Sequence, residues 1–155
     1  MTNFPEFQNE NMGGCSSFAY APFWSVFDIP KIKGCKIASD VEFLYNRDYL
    51  TGLSILDTLQ CQEQLQSTDA GEFYKTKITG YIPFLTDDYF DLFDKMKQLR
   101  HILKITDNNN KTRIFGLNGG LKFSFDTDTK KSPSGANGFE FTFVVENPNP
   151  APFLG

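Results

Sequence analysis

The stretch from Thr68 to Gly116 constrains the fold more than any other part of the chain. It reads as TDAGEFYKTKITGYIPF, then LTDDYFDLFDKMKQLRH, then ILKITDNNNKTRIFG. In the first piece Phe73, Lys75, Lys77, Thr79 and Tyr81 fall on one face, and Tyr74, Thr76, Ile78, Gly80 and Ile82 on the other. That alternation is the signature of a half-buried strand, and Pro83 ends it. Thr86 is then placed to cap a helix over about 86–100, with Asp87 and Asp88 in its first turn, where the helix dipole favours negative charge. Phe90, Phe93, Met96 and Leu99 form its core stripe, supported by Tyr89 and Leu92. Lys95, Lys97, Arg100 and His101 load the opposite end with positive charge, a partly charged His101 included. Ile102–Thr106 and Thr112–Gly116 then pair across Asp107-Asn108-Asn109-Asn110-Lys111, since Asn and Asp tolerate the left-handed conformations of a tight turn.

The flanks extend this into an α+β, mainly β domain. The expected architecture is an antiparallel β-sandwich or rolled sheet flanked by one amphipathic helix, with extended arms at both ends. Residues 1–12 are polar, Asn-rich and carry Pro5, which predicts an extended arm. A core follows over 13–146. In SSFAYAPFWSVFDIP the aromatics hold no clean period, and Pro22 and Pro30 favour extended or edge structure. A strand is expected over about Lys36–Leu44 and a loop over Asn46–Gly52. Residues 53–65 are ambiguous between helix and strand, with strand favoured for Thr58–Gln64 because a turn and another strand follow at once. Leu121–Phe125 and Phe139–Val145 read as strands around a long polar loop, Asp126–Gly138. The proline-rich tail over 147–155 reads as an extended exit that stays out of the sheet interior.

Composition narrows the function. The 155 residues suit one domain, and seventeen phenylalanines against six tyrosines and one tryptophan predict a core or subunit contact with few polar handles. A net charge of −4 argues against a general nucleic-acid binder, which needs a basic stripe to displace counterions. No apolar run is long enough to span a membrane, and the opening residues lack a basic-then-apolar secretory pattern. Cys15, Cys35 and Cys61 are odd in number and widely spaced, as expected of reduced, buried small residues in a cytosolic setting.

Candidate chemistry is sparse. Asp126 and Asp128 follow an apolar strand in FSFDTDTK, similar to the opening Asp pair of haloacid-dehalogenase-like phosphotransferases. That chemistry also requires a downstream Lys and further acids on a parallel sheet, and a solvated loop is the simpler reading. Asp107, Asn109 and Lys111 have calcium-loop spacing, but Lys stands at a ligand position and the later Gly and Glu are missing. His101 has no second His or Cys near it in sequence, and Asp87, Asp88, Asp91 and Asp94 read as an exposed helix face. The expectation is therefore no enzyme, no catalytic residue, no metal and no cofactor. Both ends carry apolar residues on extended segments, Phe4 and Phe7 at the start and Phe153 and Leu154 at the finish. With Phe18, Phe23 and Trp24 they form the expected subunit interface.

Gly13-Gly14-Cys15, Asp28-Ile29-Pro30, the TDAGEFYKTKITGYIP strand, the helix leading into ILKITDNNNKTRIFG, and NGFEFTFVVENPNPAPFL occur in that order from Gly13 to Phe153. Together they resemble small structural proteins of tailed bacteriophages of the Bacteroidetes phage and prophage type. The resemblance implies a virion protein assembled in the host cytoplasm, a tail-tube-like, tail-completion or head–tail connector subunit. It implies homo-oligomeric, hexameric rings that stack, form or cap a DNA-conducting tube, and contact other tail or neck proteins. DNA would pass transiently and without sequence preference, and no membrane would be involved. It also implies edge-to-edge joining of neighbouring sheets, with Asp126–Gly138 or Asn46–Ser54 reaching the adjacent ring. The alternative from another class is a small-molecule or glycan-binding β-domain whose aromatics around Phe18–Phe27 line a pocket.

Overall fold

A computed structural model of the chain describes residues 15–52, 54, 58–82, 87–128 and 138–155. The elements run β1 (Cys15–Pro22), a 3-10 turn (Phe23–Ser25), β2 (Val26–Asp28), β3 (Ile32–Lys33), β4 (Lys36–Ile37), β5 (Glu42–Phe43) and β6 (Leu50–Thr51). They continue with β7 (Gln60–Thr68), β8 (Gly71–Ile82), α1 (Asp87–Met96), β9 (Arg100–Asp107), β10 (Thr112–Phe115), β11 (Leu121–Asp128), β12 (Gly138–Asn147) and β13 (Phe153–Leu154). The fold is mainly β with one α-helix among the described residues, as the hydrophobic periods predict.

One hydrogen-bonded sheet bends over on itself. Its strand order is β3-β4-β13-β10-β9-β11-β12-β8-β7, and β1 pairs with both β9 and β6. β11 meets β9 only at Leu121↔His101 and Lys122↔Arg100, so the sheet turns there. The antiparallel β11–β12–β8–β7 layer then faces the β1–β9–β10 layer across the main core. All pairings are antiparallel except β13 with β4.

The main core is aromatic for a reason visible in the register. Phe123 lies opposite Phe143, and Phe125 opposite Phe141, while Phe141 lies opposite Gly80 and Phe143 opposite Ile78. These alternate positions point inward on every strand. A Cβ at Gly80 would sit 2.3 Å from the Phe141 ring, so only glycine leaves room for that ring. α1 closes one side of this core. Phe93 packs its ring 5.1–5.4 Å from those of Phe123, Phe125 and Phe139, and Met96 is buried beside it.

β9 is covered on both faces. Leu103 and Ile105 enter the main core, whereas Ile102 joins Ala21, Ile37, Val41 and Ile114 in a second cluster. Residues between Val26 and Tyr49 cover that second side. There Lys104 Nζ meets Asp40 Oδ2 at 2.9 Å, and the Tyr49 hydroxyl donates to Asp40 Oδ1 at 2.8 Å.

Several expectations need correction. The proline-rich tail is part of the sheet: β13 lies between β10 and β4, pairing Phe153 with Arg113 and with Lys36. Its prolines all precede the two paired residues, so none stands at a ladder position. The single strand expected over Lys36–Leu44 is two short ones, β4 and β5, that belong to different sheets. The loop expected over Asn46–Gly52 contains β6. β11 runs on to Asp128, so the expected loop from Asp126 begins inside a strand. α1 ends at Met96, leaving Leu99 outside the helix and exposed, and Phe90 is exposed too, although its ring touches Phe139 at 4.8 Å. The buried part of the expected stripe is Phe93 and Met96. Cys35 is exposed in the turn before β4 rather than buried. The strand preferred for Thr58–Gln64 is present as β7. The N-terminal arm with Phe4 and Phe7, and the Thr86 cap, lie outside the described residues.

Candidate assembly surfaces

Of the residues singled out as interface in the sequence, the described ones, Phe18, Phe23, Trp24, Phe153 and Leu154, do not come together. Phe18 is buried in the main core of its own subunit, where its ring lies 5.9 Å from that of Phe141. Leu154 packs on the second cluster. Phe23 is half-buried. Phe153 is exposed, with the Arg113 guanidinium 5.0 Å from its ring. Trp24 is 51% exposed and carries Arg47 over its ring at 4.8 Å.

Sequence reasoning missed the company Trp24 keeps. The β2–β5 ribbon and its flanks also present Phe27 at 70% exposure, Leu44, and Tyr45 at 91%. The signal was available in Phe43-Leu44-Tyr45. Three consecutive apolar residues on a two-stranded ribbon cannot all face one side. Here Phe43 turns inward against Tyr49, at 4.8 Å between rings, and the next two remain outside.

The second missed feature is an open edge. β7 is nine residues long and, among the described residues, pairs with no strand but β8, along one side. It contains no proline and no lysine, and its one charge, Glu63, is turned to internal use. Glu63 Oε1 accepts from Arg113 Nη2 at 2.7 Å and Glu63 Oε2 from the Ala151 amide at 3.0 Å. Arg113 Nη2 also donates to the Ala151 carbonyl at 2.9 Å. This node ties β7, β10 and the C-terminal segment together. The far half of β7 projects with Leu65 55% exposed. Natural sheets usually blunt such edges with charge, proline or a cover.

The groups considered for chemistry have structural employment. Asp126 stands opposite Glu140 in an antiparallel pair, whereas the phosphotransferase reading needs a parallel strand delivering its Asp. Asp107 Oδ1 accepts from the Asn109 and Lys111 amides at 2.8 and 2.9 Å, tying the β9–β10 turn in which Asn110 adopts a φ of 60°. His101 does meet the helix end, but as a neutral donor. Its Nε2–H donates to the Met96 carbonyl at 2.9 Å, and burial lowers its pKa, which overturns the partly charged imidazole expected from sequence. Among the described residues no group of three or more His, Cys, Asp and Glu is placed to hold a metal. No helix among them is long and apolar enough to cross a membrane.

The aromatics of Phe18–Phe27 do not converge on one pocket. Phe18 and Tyr20 line an apolar cavity of about 150 Å³ beneath α1, with Phe93 and Met96, while Trp24 and Phe27 face outward. Compared with known proteins, the chain matches no family model, no curated protein and no solved structure.

Proposed function

We propose that this chain is a structural subunit of a phage tail or neck that self-assembles into rings. The observation that carries self-assembly is the β7 edge, which among the described residues has no strand on its outer side and carries neither lysine nor proline. The exposed Trp24, Phe27, Leu44 and Tyr45 supply apolar area of the kind that interfaces bury. The phage assignment within that reading rests on the resemblance of the Gly13–Phe153 segments and on the scarcity of catalytic constellations. Pairing of the β7 edge with a different edge of the next subunit, such as β3 at the opposite end of the sheet order, joins subunits head to tail and yields closed rings when the rotation closes.

Light scattering on the eluting protein, with negative-stain microscopy, tests this directly. Rings or short tubes are expected, and a strict monomer at high concentration would overturn the reading. Leu65→Lys is the matched variant. Leu65 is exposed, so its replacement should change folding stability by no more than about 0.5 kcal/mol. A lysine on the edge should nonetheless move the particle distribution toward monomer.

A further inference from the structure

The β11–β12–β8–β7 layer has an apolar inner face and a charged outer face, and its cations gather at one end. Along one row Arg100 lies opposite Lys122, Lys122 opposite Val144, and Val144 opposite Lys77. Lys75 follows two residues along β8, opposite Glu146. All four cations are exposed, and among the described residues none forms an ion pair. Lys75, Arg100 and Lys122 line an open groove of about 700 Å³ together with Val144, Val145 and the Asn118–Gly120 turn; Glu146 is the one carboxylate in the lining, so the cations outnumber it three to one. In a chain of net charge −4 this is a local reversal of sign.

The complementary surface is on the same chain. Asp87, Asp88 and Asp91 project from the first turns of α1, exposed and without an ion-pair partner among the described residues, whereas Asp94 is bound to Lys97 at 2.6 Å. We propose that the basic groove on one copy receives the acidic first half of α1 from the next copy. α1 packs through Phe93 on Phe123, Phe139 and Phe141, the inner face of the same strands whose outer face carries the groove. Donor and acceptor surfaces therefore lie on opposite sides of one layer. Such surfaces engage different neighbours, so the contact is head to tail and propagates. This rests on the self-assembly reading and names a second contact within it, distinct from the β7 edge.

The test is a charge swap on the full chain, followed by light scattering in 50 mM NaCl. K75E/K122E reverses the groove and D88K/D91K reverses the helix; all four side chains are exposed, so folding is spared. Each variant alone should associate at least about tenfold more weakly, because like charges then face each other. Mixed in equal amounts they should regain assembly, since the acidic groove of one variant then meets the basic helix of the other, and the basic groove of the second meets the acidic helix of the first. Wild-type assembly should also weaken as NaCl rises to 0.5 M, where exposed charges are screened. If both variants assemble like wild type, or the mixture fails to recover, the groove–helix contact is wrong while self-assembly stands. A wild-type monomer at every concentration defeats the self-assembly reading itself. A fluorescein-labelled oligonucleotide that binds wild type but not K75E/K122E, with self-association unchanged, would assign the groove to a polyanion and overturn the proposal.

Discussion

His101, the chain's one histidine, sits where a charge cannot be accommodated. It is 1% exposed, with the rings of Tyr20, Phe123 and Phe143 5.8–6.2 Å away. Because Nε2–H donates to the Met96 carbonyl, the neutral ring leaves Nδ1 as a bare acceptor, and that atom has no partner among the described residues. Protonation would place a charge among aromatic rings, so burial pushes the folded pKa below the ordinary 6.5, against the smaller opposing pull of the Met96 bond. The unfolded chain therefore binds the proton first as pH falls. The stability contributed by neutral His101 is complete above pH 6.5 and declines below it, by at most about 1.4 kcal/mol per pH unit until the folded pKa is reached. Thermal unfolding compared at pH 7 and pH 5 should show this loss in the wild type. In His101→Phe the difference between the two pH values should shrink, whatever the variant's absolute stability. An equal pH dependence in both proteins would place the titrating group elsewhere.

At the scale of elements, the C-terminal strand is the part whose role most departs from its appearance. β13 is two residues long, yet it bridges β10 and β4, and the Ala151 just before it is buried and held by both Glu63 and Arg113. Deleting residues 149–155 should therefore destabilise the isolated subunit, by about 3 kcal/mol or more. It removes two strand pairings and leaves partly buried charges without their backbone partners. Unchanged thermal stability would show that β10 and β4 hold without it. α1 offers the contrasting case. Phe93→Ala should cost about 3–5 kcal/mol, as expected for a ring buried against three others. Leu99→Ala, beyond the helix end and exposed, should cost far less, and denaturant titration of the pair checks the difference.

The same contrast explains what could be read in advance. β8, α1 and the β9–β10 hairpin carry local periods or turn residues, and each appears near its expected place. The inward set Thr76, Ile78, Gly80 and Ile82 is the one the alternation separates from the lysines. β3, β4, β5, β6 and β13 are two residues each, too short to show any period, and apart from the β3–β4 pairing across Gly34-Cys35 their partners are distant in sequence. The proline-rich tail reads as an exit because proline forbids ladder bonds at its own position, while the partner that recruits Phe153 and Leu154 is invisible locally. The candidate surfaces were harder still. An unpaired edge and a row of cations from three strands exist only once register is known, so neither β7's open side nor the Arg100–Lys122–Lys77 row has a signature along the chain.

For the whole molecule, the two hydrophobic clusters share their dividing wall. Leu103 and Ile102 are neighbours on β9 yet belong to different clusters, and so do Phe115 and Ile114 on β10, and Tyr20 and Ala21 on β1. The outer layer between Val26 and Tyr49 cannot peel away without exposing one face of the strands that bound the aromatic core. Removing the core likewise strips the other face. The subunit should therefore unfold as one cooperative unit rather than as a core with a separately melting cover. Ile102→Ala and Leu103→Ala, both at fully buried positions, should each lower the same single transition by about 2–5 kcal/mol. Scanning calorimetry at one fixed protein concentration is the appropriate measurement, because assembly would otherwise move the midpoint. The calorimetric and van't Hoff enthalpies should agree in the wild type and in both variants. If Ile102→Ala instead produces an early, separate transition while Leu103→Ala does not, the outer layer folds on its own account, and the shared wall does not couple the two clusters.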